Sequence, residues 1–232
     1  GGNNVYDVTV QVSDGTLTST QAIAVAVTPV NDNTPAITSS ATASVAENST
    51  AVMTVTATDA DLPAQTLSYS IVGGADAVKF SINSTTGALS FLAAPNYESP
   101  TDAGGNNVYD VTVQVSDGSL TSTQAIAVTV TPVNDNTPTI TSSATASVAE
   151  NTTAVLTVTA TDADLPAQTL TYSIVGGADA AKFSINASTG ALSFVTAPDY
   201  EAPTDSGGNN VYDVTVQVSD GALTSTQAIA VT

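Results

Sequence analysis

The stretch TPVNDNTP occupies Thr28–Pro35 and returns unchanged at Thr131–Pro138. It sets an Asn-Asp-Asn triplet between prolines twice, in a chain where only 10% of residues are charged. Proline fixes φ and donates no backbone hydrogen bond, so a segment bounded by Pro132 and Pro138 stays out of both sheets and reads as a stiffened linker. Its polar centre offers oxygens: an amide from Asn134, a carboxylate from Asp135 and backbone carbonyls from Val133 or Asn136.

Asp135 lies 103 residues after Asp32, and the same offset relates Glu47 to Glu150, Asp59 to Asp162 and Tyr97 to Tyr200. The chain is therefore a tandem array. Residues 34–129 and 137–232 differ at 13 of 96 aligned positions, mostly by exchanges among Ala, Ser and Thr or between apolar residues. The repeat divides the chain into residues 1–33, matching the tail of a repeat, a complete repeat over 34–136, and a repeat over 137–232 that stops short of its own linker. We expect a window onto a longer array.

Within one copy the apolar residues alternate, as they do in half-buried strands. Met53, Val55 and Ala57 share a phase, as do Leu67, Tyr69 and Ile71, then Phe80 with Ile82, Leu89 with Phe91, Tyr109 through Val115, and Ile126 through Val130. Turn signals separate them at Val72–Gly74, Thr85–Gly87, Ala103–Asn107 and Ser116–Gly118. With a first strand near Ile37, about seven short strands per repeat predict an all-β chain of antiparallel sandwiches, with Phe80, Phe91, Tyr69 and Tyr109 in the core.

Composition excludes much chemistry. The 232 residues contain 21 Asp plus Glu, 2 Lys plus Arg, and no His, Cys or Trp, for a formal charge of -19. Imidazole bases, cysteine nucleophiles and His or Cys metal sites are impossible. The charge repels phosphate backbones and anionic lipid, so no nucleic-acid partner is expected, and no apolar run is long enough for membrane insertion. Cations are the natural partners.

Most of the acids fall at strand ends and in loops: Glu47 in VAENS, Asp59 and Asp61 in TDADLP, Glu98 in NYESP, Asp117 in VSDG and Asp135 in VNDN. In a sandwich the segments holding Glu47, Glu98 and Asp135 can meet at one pole, and TDAD with VSDG at the other. Head-to-tail stacking of copies would gather Glu47, Glu98 and Asp135 with Asp162, Asp164 and Asp220. Two carboxylates about 5 Å apart repel by about 1 kcal/mol in water and several-fold more in a partly buried site. A hard divalent cation reverses that sign, and calcium, taking six to eight oxygens in flexible geometry, suits a mixture of carboxylates, amides and carbonyls better than magnesium does. Isolated acids such as Asp7, Asp76, Asp110 and Asp179 read as turn or capping residues.

The ordered set AEN, TDAD, NYE or DYE, VSDG and NDNTP resembles the calcium-binding motifs of cadherin repeats, and the Thr/Ala/Val-rich style is similar to cadherin-like domains of large bacterial secreted adhesins. The resemblance covers the whole chain. It implies tandem seven-stranded Greek-key sandwiches, of the cadherin/immunoglobulin-like kind, joined by calcium-binding linkers. It further implies that Glu47 and Glu98 help hold two ions completed by Asp135 and the Val133 carbonyl. Asp164 would bridge to a third ion bound by Asp162, Asp220, Asn134 and the Asn136 carbonyl. The earlier linker retains Asn31, Asp32, Asn33, Asp59, Asp61 and Asp117. Two departures stand out: Pro29 and Pro132 replace an acid at the start of the linker motif, and Asn96 replaces one that Asp199 keeps. Two or three calcium ions are expected at the 136/137 junction and fewer at 33/34.

The leading functional reading is an extracellular stalk or filament segment of a bacterial adhesin, stiffened by calcium and serving cell adhesion or biofilm attachment. The alternative is a module that binds cell-surface glycan or protein, or other repeat chains, through its loops or side faces, with PTDAGGNN at Pro100–Asn107 the best candidate loop. An enzyme is the weakest reading, because no acid lies in apolar surroundings that would raise its pKa for acid–base work.

Overall fold

A computed structural model describes residues 2–232. Among them the chain is built from strands, with two three-residue 3-10 turns at Ala77–Lys79 and Ala180–Lys182. It resolves into two compact units. One takes the residues up to Val45 with Ser49–Pro95 and Thr101–Thr129; the other takes Ala46–Asn48, Asn96–Pro100 and Val130–Thr232.

The second unit has a four-stranded sheet in the order Thr145–Ala146, Thr224–Val231, Tyr212–Ser219, Thr171–Gly176. A three-stranded sheet of Ala154–Thr157, Ala191–Phe194 and Phe183–Ile185 accompanies it, with a short pair of Thr139–Ile140 and Ala160–Thr161. The first unit repeats this with Thr42–Ala46, Thr121–Thr131, Val108–Ser116 and Ser68–Gly73 in one sheet and Ala51–Thr54, Ala88–Phe91 and Phe80–Ile82 in another. Its short pair is Ala36–Ile37 with Ala57–Thr58. This is the all-β Greek-key sandwich that the alternation and the resemblance predict.

Three details differ from the sequence reading. The expected strand through Met53, Val55 and Ala57 is two strands in different sheets: Ala51–Thr54 pairs with Ala88–Phe91, and Val55 N–H still donates to Gly87 O (2.8 Å), whereas Ala57–Thr58 pairs with Ala36–Ile37. The first strand likewise changes sheets: Thr139–Ile140 pairs with Ala160–Thr161, while Thr145–Ala146 pairs with Ala230–Val231. That last pairing is parallel, so the sandwich is not purely antiparallel.

The core follows the predicted phases. Val111, Val113, Val115, Ile126 and Val128 are buried on one sheet, facing Phe80, Leu89 and Phe91 on the other. The Phe80 and Phe91 rings stack at 4.5 Å, and Tyr109 meets Phe91 edge-on at 5.1 Å. Such pairs add about 0.5–1.5 kcal/mol each to the burial of apolar area. The hydroxyl of Tyr109 accepts a hydrogen bond from Thr101 N–H at 3.2 Å. Tyr69 is only half-buried, its ring lying over Gly87 at the sandwich edge.

The hairpin of Val5–Ser13 and Thr18–Ala26 has the same register as Val108–Ser116 with Thr121–Thr131. Its apolar row is nevertheless open: Val8 and Val10 are 47% and 45% exposed, against 1% and 0% for Val111 and Val113. No second sheet among the described residues covers this row.

Candidate metal centres

Four groups of three carboxylates converge among the described residues. They are Glu47, Glu98 and Asp135; Asp59, Asp61 and Asp117; Asp162, Asp164 and Asp220; and Glu150, Asp199 and Glu201. In each group, one oxygen from every member lies within 4.8 Å of the others.

The first group hangs on Glu47, which is 3% exposed although it follows the strand Thr42–Ala46 directly. Glu47 N–H donates to Thr131 O at 3.0 Å, fixing the residue against the end of the Thr121–Thr131 strand. Its carboxylate accepts Tyr97 N–H on Oε2 (2.7 Å) and Val133 N–H on Oε1 (2.8 Å). Two separate segments are thereby drawn onto one side chain. Glu98 follows from the turn at Asn96, whose Oδ1 accepts Ser99 N–H at 2.8 Å. Asp135 takes the side-chain amides of Asn48 on Oδ2 and Asn136 on Oδ1, the latter at 2.9 Å.

The group of Asp162, Asp164 and Asp220 is organised by the linker. Asp164 is 1% exposed and accepts the backbone and side-chain N–H groups of Asn136, the latter at 2.6 Å on Oδ1. Asp220 Oδ1 accepts Ala222 and Leu223 N–H, both at 2.7 Å, in the turn of VSDG. The motif spacing predicts six carboxylates converging here; the structure arranges them as two trios. Asn136 ties the trios by donating to both Asp135 and Asp164, and Leu165 N–H donates to Glu98 Oε1 at 3.2 Å. All six belong to the second unit.

The trio of Asp59, Asp61 and Asp117 repeats the pattern with the earlier linker. Asp61 accepts Asp32 N–H (3.2 Å) and Asn33 N–H (3.0 Å) together with the Asn33 side-chain amide, and Asn33 also donates to Asp32 Oδ1 at 3.2 Å. The Asn31 side chain hydrogen-bonds Asp117 as Asn134 does Asp220. The trio of Glu150, Asp199 and Glu201 is exposed and lies outside the ligand set expected from the sequence, although the 103-residue offset from Glu47, Asn96 and Glu98 points to it.

These hydrogen bonds fix the charge state. The Asn33 side-chain amide, with the N–H groups of Asn33 and Asp32, holds the Asp61 carboxyl below the usual range against the opposing effect of burial. Leu120 and Ser119 N–H do the same for Asp117. At Asp164 and Asp220 burial is the largest single effect and pushes upward, but the donors from Asn136 in one case and from Ala222 and Leu223 in the other outweigh it. All four are ionised at neutral pH, and the chain's two lysines, Lys79 and Lys182, lie on the 3-10 turns.

One oxygen in each main trio is left over. Glu98 Oε2, Asp59 Oδ2 and Asp162 Oδ2 are buried without a hydrogen-bond partner, while the second oxygen of each carboxylate accepts a backbone N–H. A buried carboxylate oxygen with no donor costs free energy unless a cation faces it. An all-oxygen donor set of anions, amides and carbonyls fits calcium.

Fold and trios together define a class: tandem Greek-key sandwiches carrying carboxylates at their strand ends. The chain belongs to the cadherin family, whose domain model matches residues 41–131 and 144–232. Cadherin domains are adhesion modules, not enzymes, and generally bind calcium at their linkers. Human protocadherin Fat 1 is 35% identical over 217 residues, covering 88% of this chain and 4% of the relative. Mouse cadherin-23 is 33% identical over 192 residues, covering 76% and 6%. Among solved structures, protocadherin gammaB7 EC3-6, described as a cis-dimer, superposes with a TM-score of 0.68 at 26% identity over 98% of this chain and 58% of that one. Mouse cadherin-23 EC22-24 gives 0.62 at 26% identity, over 98% and 74%. The chain thus spans only a few per cent of the curated relatives' length.

Proposed function

We propose that this chain is a segment of an extracellular adhesion stalk whose linkers are stiffened by calcium. Two or three ions would be held by Glu47, Glu98, Asp135, Asp162, Asp164 and Asp220, with oxygens from Val133, Asn134 and Asn136. Fewer would be held by Asp59, Asp61 and Asp117 with Asn31, Asp32 and Asn33. The observation that carries this reading is the leftover buried oxygen in each main trio, on carboxylates already kept ionised by their neighbours. Cadherin-like repeats over 34–136 and 137–232, preceded by the tail of another, would place the linkers at the trios.

Asn96 contributes less in this scheme, because its Oδ1 is committed to Ser99 N–H. The near-identical repeats and the Thr/Ala/Val-rich composition support a bacterial surface adhesin as the setting, with attachment or biofilm formation as the outcome. Calcium affinity would be modest, on the order of 10⁻⁴–10⁻³ M, as for other extracellular modules. Small-angle scattering with and without a calcium chelator tests the stiffening. The maximum dimension distribution should broaden on chelation in the parent chain and already be broad in Glu98→Gln/Asp162→Asn. No change on chelation would contradict the role.

A further inference from the structure

The hairpin of Val5–Ser13 and Thr18–Ala26 has one apolar and one polar face. Directly opposed residues of an antiparallel pair project to the same side, and the register sets Tyr6 opposite Val25, Val8 opposite Ile23, Val10 opposite Gln21 and Val12 opposite Ser19. Asp7, Thr9 and Gln11 project to the other side, opposite Ala24, Ala22 and Thr20. The apolar face carries no charged residue, because Asp14 lies in the turn, where its Oδ1 accepts Thr16 and Leu17 N–H.

The six apolar side chains of that face are between 39% (Ile23) and 69% (Val12) exposed. Together they amount to on the order of 500 Å² of open apolar surface, in the range where a contiguous patch marks an interaction site. The kind of surface that fits them is fixed by the repeats. Residues 2–26 differ from 208–232 only at Thr16/Ala222 and Ala26/Thr232, and in that later copy Tyr212, Val214, Val216, Val218, Ile229 and Val231 are all buried in a sandwich core. The face is therefore built to pack against the apolar side of another sheet.

Among the described residues no such sheet is free. Phe80, Leu89 and Phe91 are buried in the first complete sandwich, as are Phe183, Leu192 and Phe194 in the second. The one open apolar sheet face in a second copy of the chain is the same hairpin. We propose that two copies associate through this face, Tyr6, Val8, Val10, Val12, Ile23 and Val25 of one against the same residues of the other, as a two-fold symmetric pair of stacked hairpins. A symmetric contact requires a self-complementary patch, which an uncharged apolar row supplies. Two such faces would bury on the order of 1,000 Å², the least that a specific interface needs. The contact uses none of the carboxylate trios, and it would give the stalk segment a homophilic attachment through residues 5–26.

Sedimentation velocity on the whole chain over a range of concentrations tests this. A concentration-dependent dimer is expected, equally in calcium, in chelator and in Glu98→Gln/Asp162→Asn, so its failure is distinguishable from failure of calcium stiffening. Val8→Ser/Ile23→Ser should raise the dimer dissociation constant by about tenfold or more. Because the chain has no cysteine, single substitutions give a second readout that leaves the hairpin largely intact: a short bismaleimide should link Val10→Cys chains in pairs and leave Thr9→Cys chains, substituted on the polar face, unlinked. A monomer at every concentration, a dimer unaffected by Val8→Ser/Ile23→Ser, or a Val10→Cys thiol shielded from maleimide within a monomer would overturn the proposal.

Discussion

Asp76 shows what a buried carboxylate does in this fold when it is not part of a trio. It is 2% exposed, and its two oxygens accept Ala103 N–H at 2.8 Å and Asp110 N–H at 2.9 Å, pinning the start of the Val108–Ser116 strand to the 3-10 turn. Asp76→Ala should cost about 3 kcal/mol or more in denaturant unfolding, since two backbone donors lose a charged acceptor. Asp14 gives the pH counterpart. Leu17 N–H, then the N–H and hydroxyl of Thr16, lower its carboxyl to about 2 from an ordinary 3.8. Because the folded value lies below the unfolded one, its contribution to the turn is complete above about pH 3.8 and fades as pH falls towards 2. A carbon-13 NMR titration should place the Asp14 midpoint near 2; a midpoint near 3.8 would show that the turn does not hold. Sequence spacing identified Asp76 as a turn or cap, but not that both oxygens would be used. Nor did it reveal Asp102, whose carboxylate collects Asn106 and Asn107 N–H and folds the PTDAGGNN loop onto itself.

At the scale of the strands, the alternation of Tyr109, Val111, Val113 and Val115 was legible because its period of two has one structural meaning when one face is buried. The breaks were not. Nothing in TASVA or AVMTVTAT announces a change of sheet, because the crossover depends on which partner strand is nearest, a tertiary fact. The hairpin Val5–Ala26 makes the same point: its sequence specifies the register, and only the presence of a second sheet decides burial. Gly87 is a local determinant that can be tested. Its φ is +72°, and a Cβ there would lie 2.2 Å from Val55 O, against the very carbonyl segment that splits the second strand. Gly87→Ala should destabilise the first unit by about 2 kcal/mol or more, lowering its thermal midpoint by roughly 10 °C. An unchanged melting curve would mean that the Thr85–Gly87 turn can rearrange freely.

For the whole molecule, a formal charge of -19 spread over near-identical repeats makes the chain self-repelling, so the account rests on what neutralises the trios. The period of 103 and the acidic motifs were legible in the sequence because ligand-bearing loops keep their spacing between copies. The tie between the two trios was not, because it is made by Asn136 and Leu165 N–H, contacts that no motif records. The most direct measurement is an anomalous difference map from crystals grown with calcium. It should show two or three ions among Glu47, Glu98, Asp135, Asp162, Asp164 and Asp220, in contact with Glu98 Oε2 and Asp162 Oδ2. A map with no ion there, and those oxygens turned to solvent, would contradict the account.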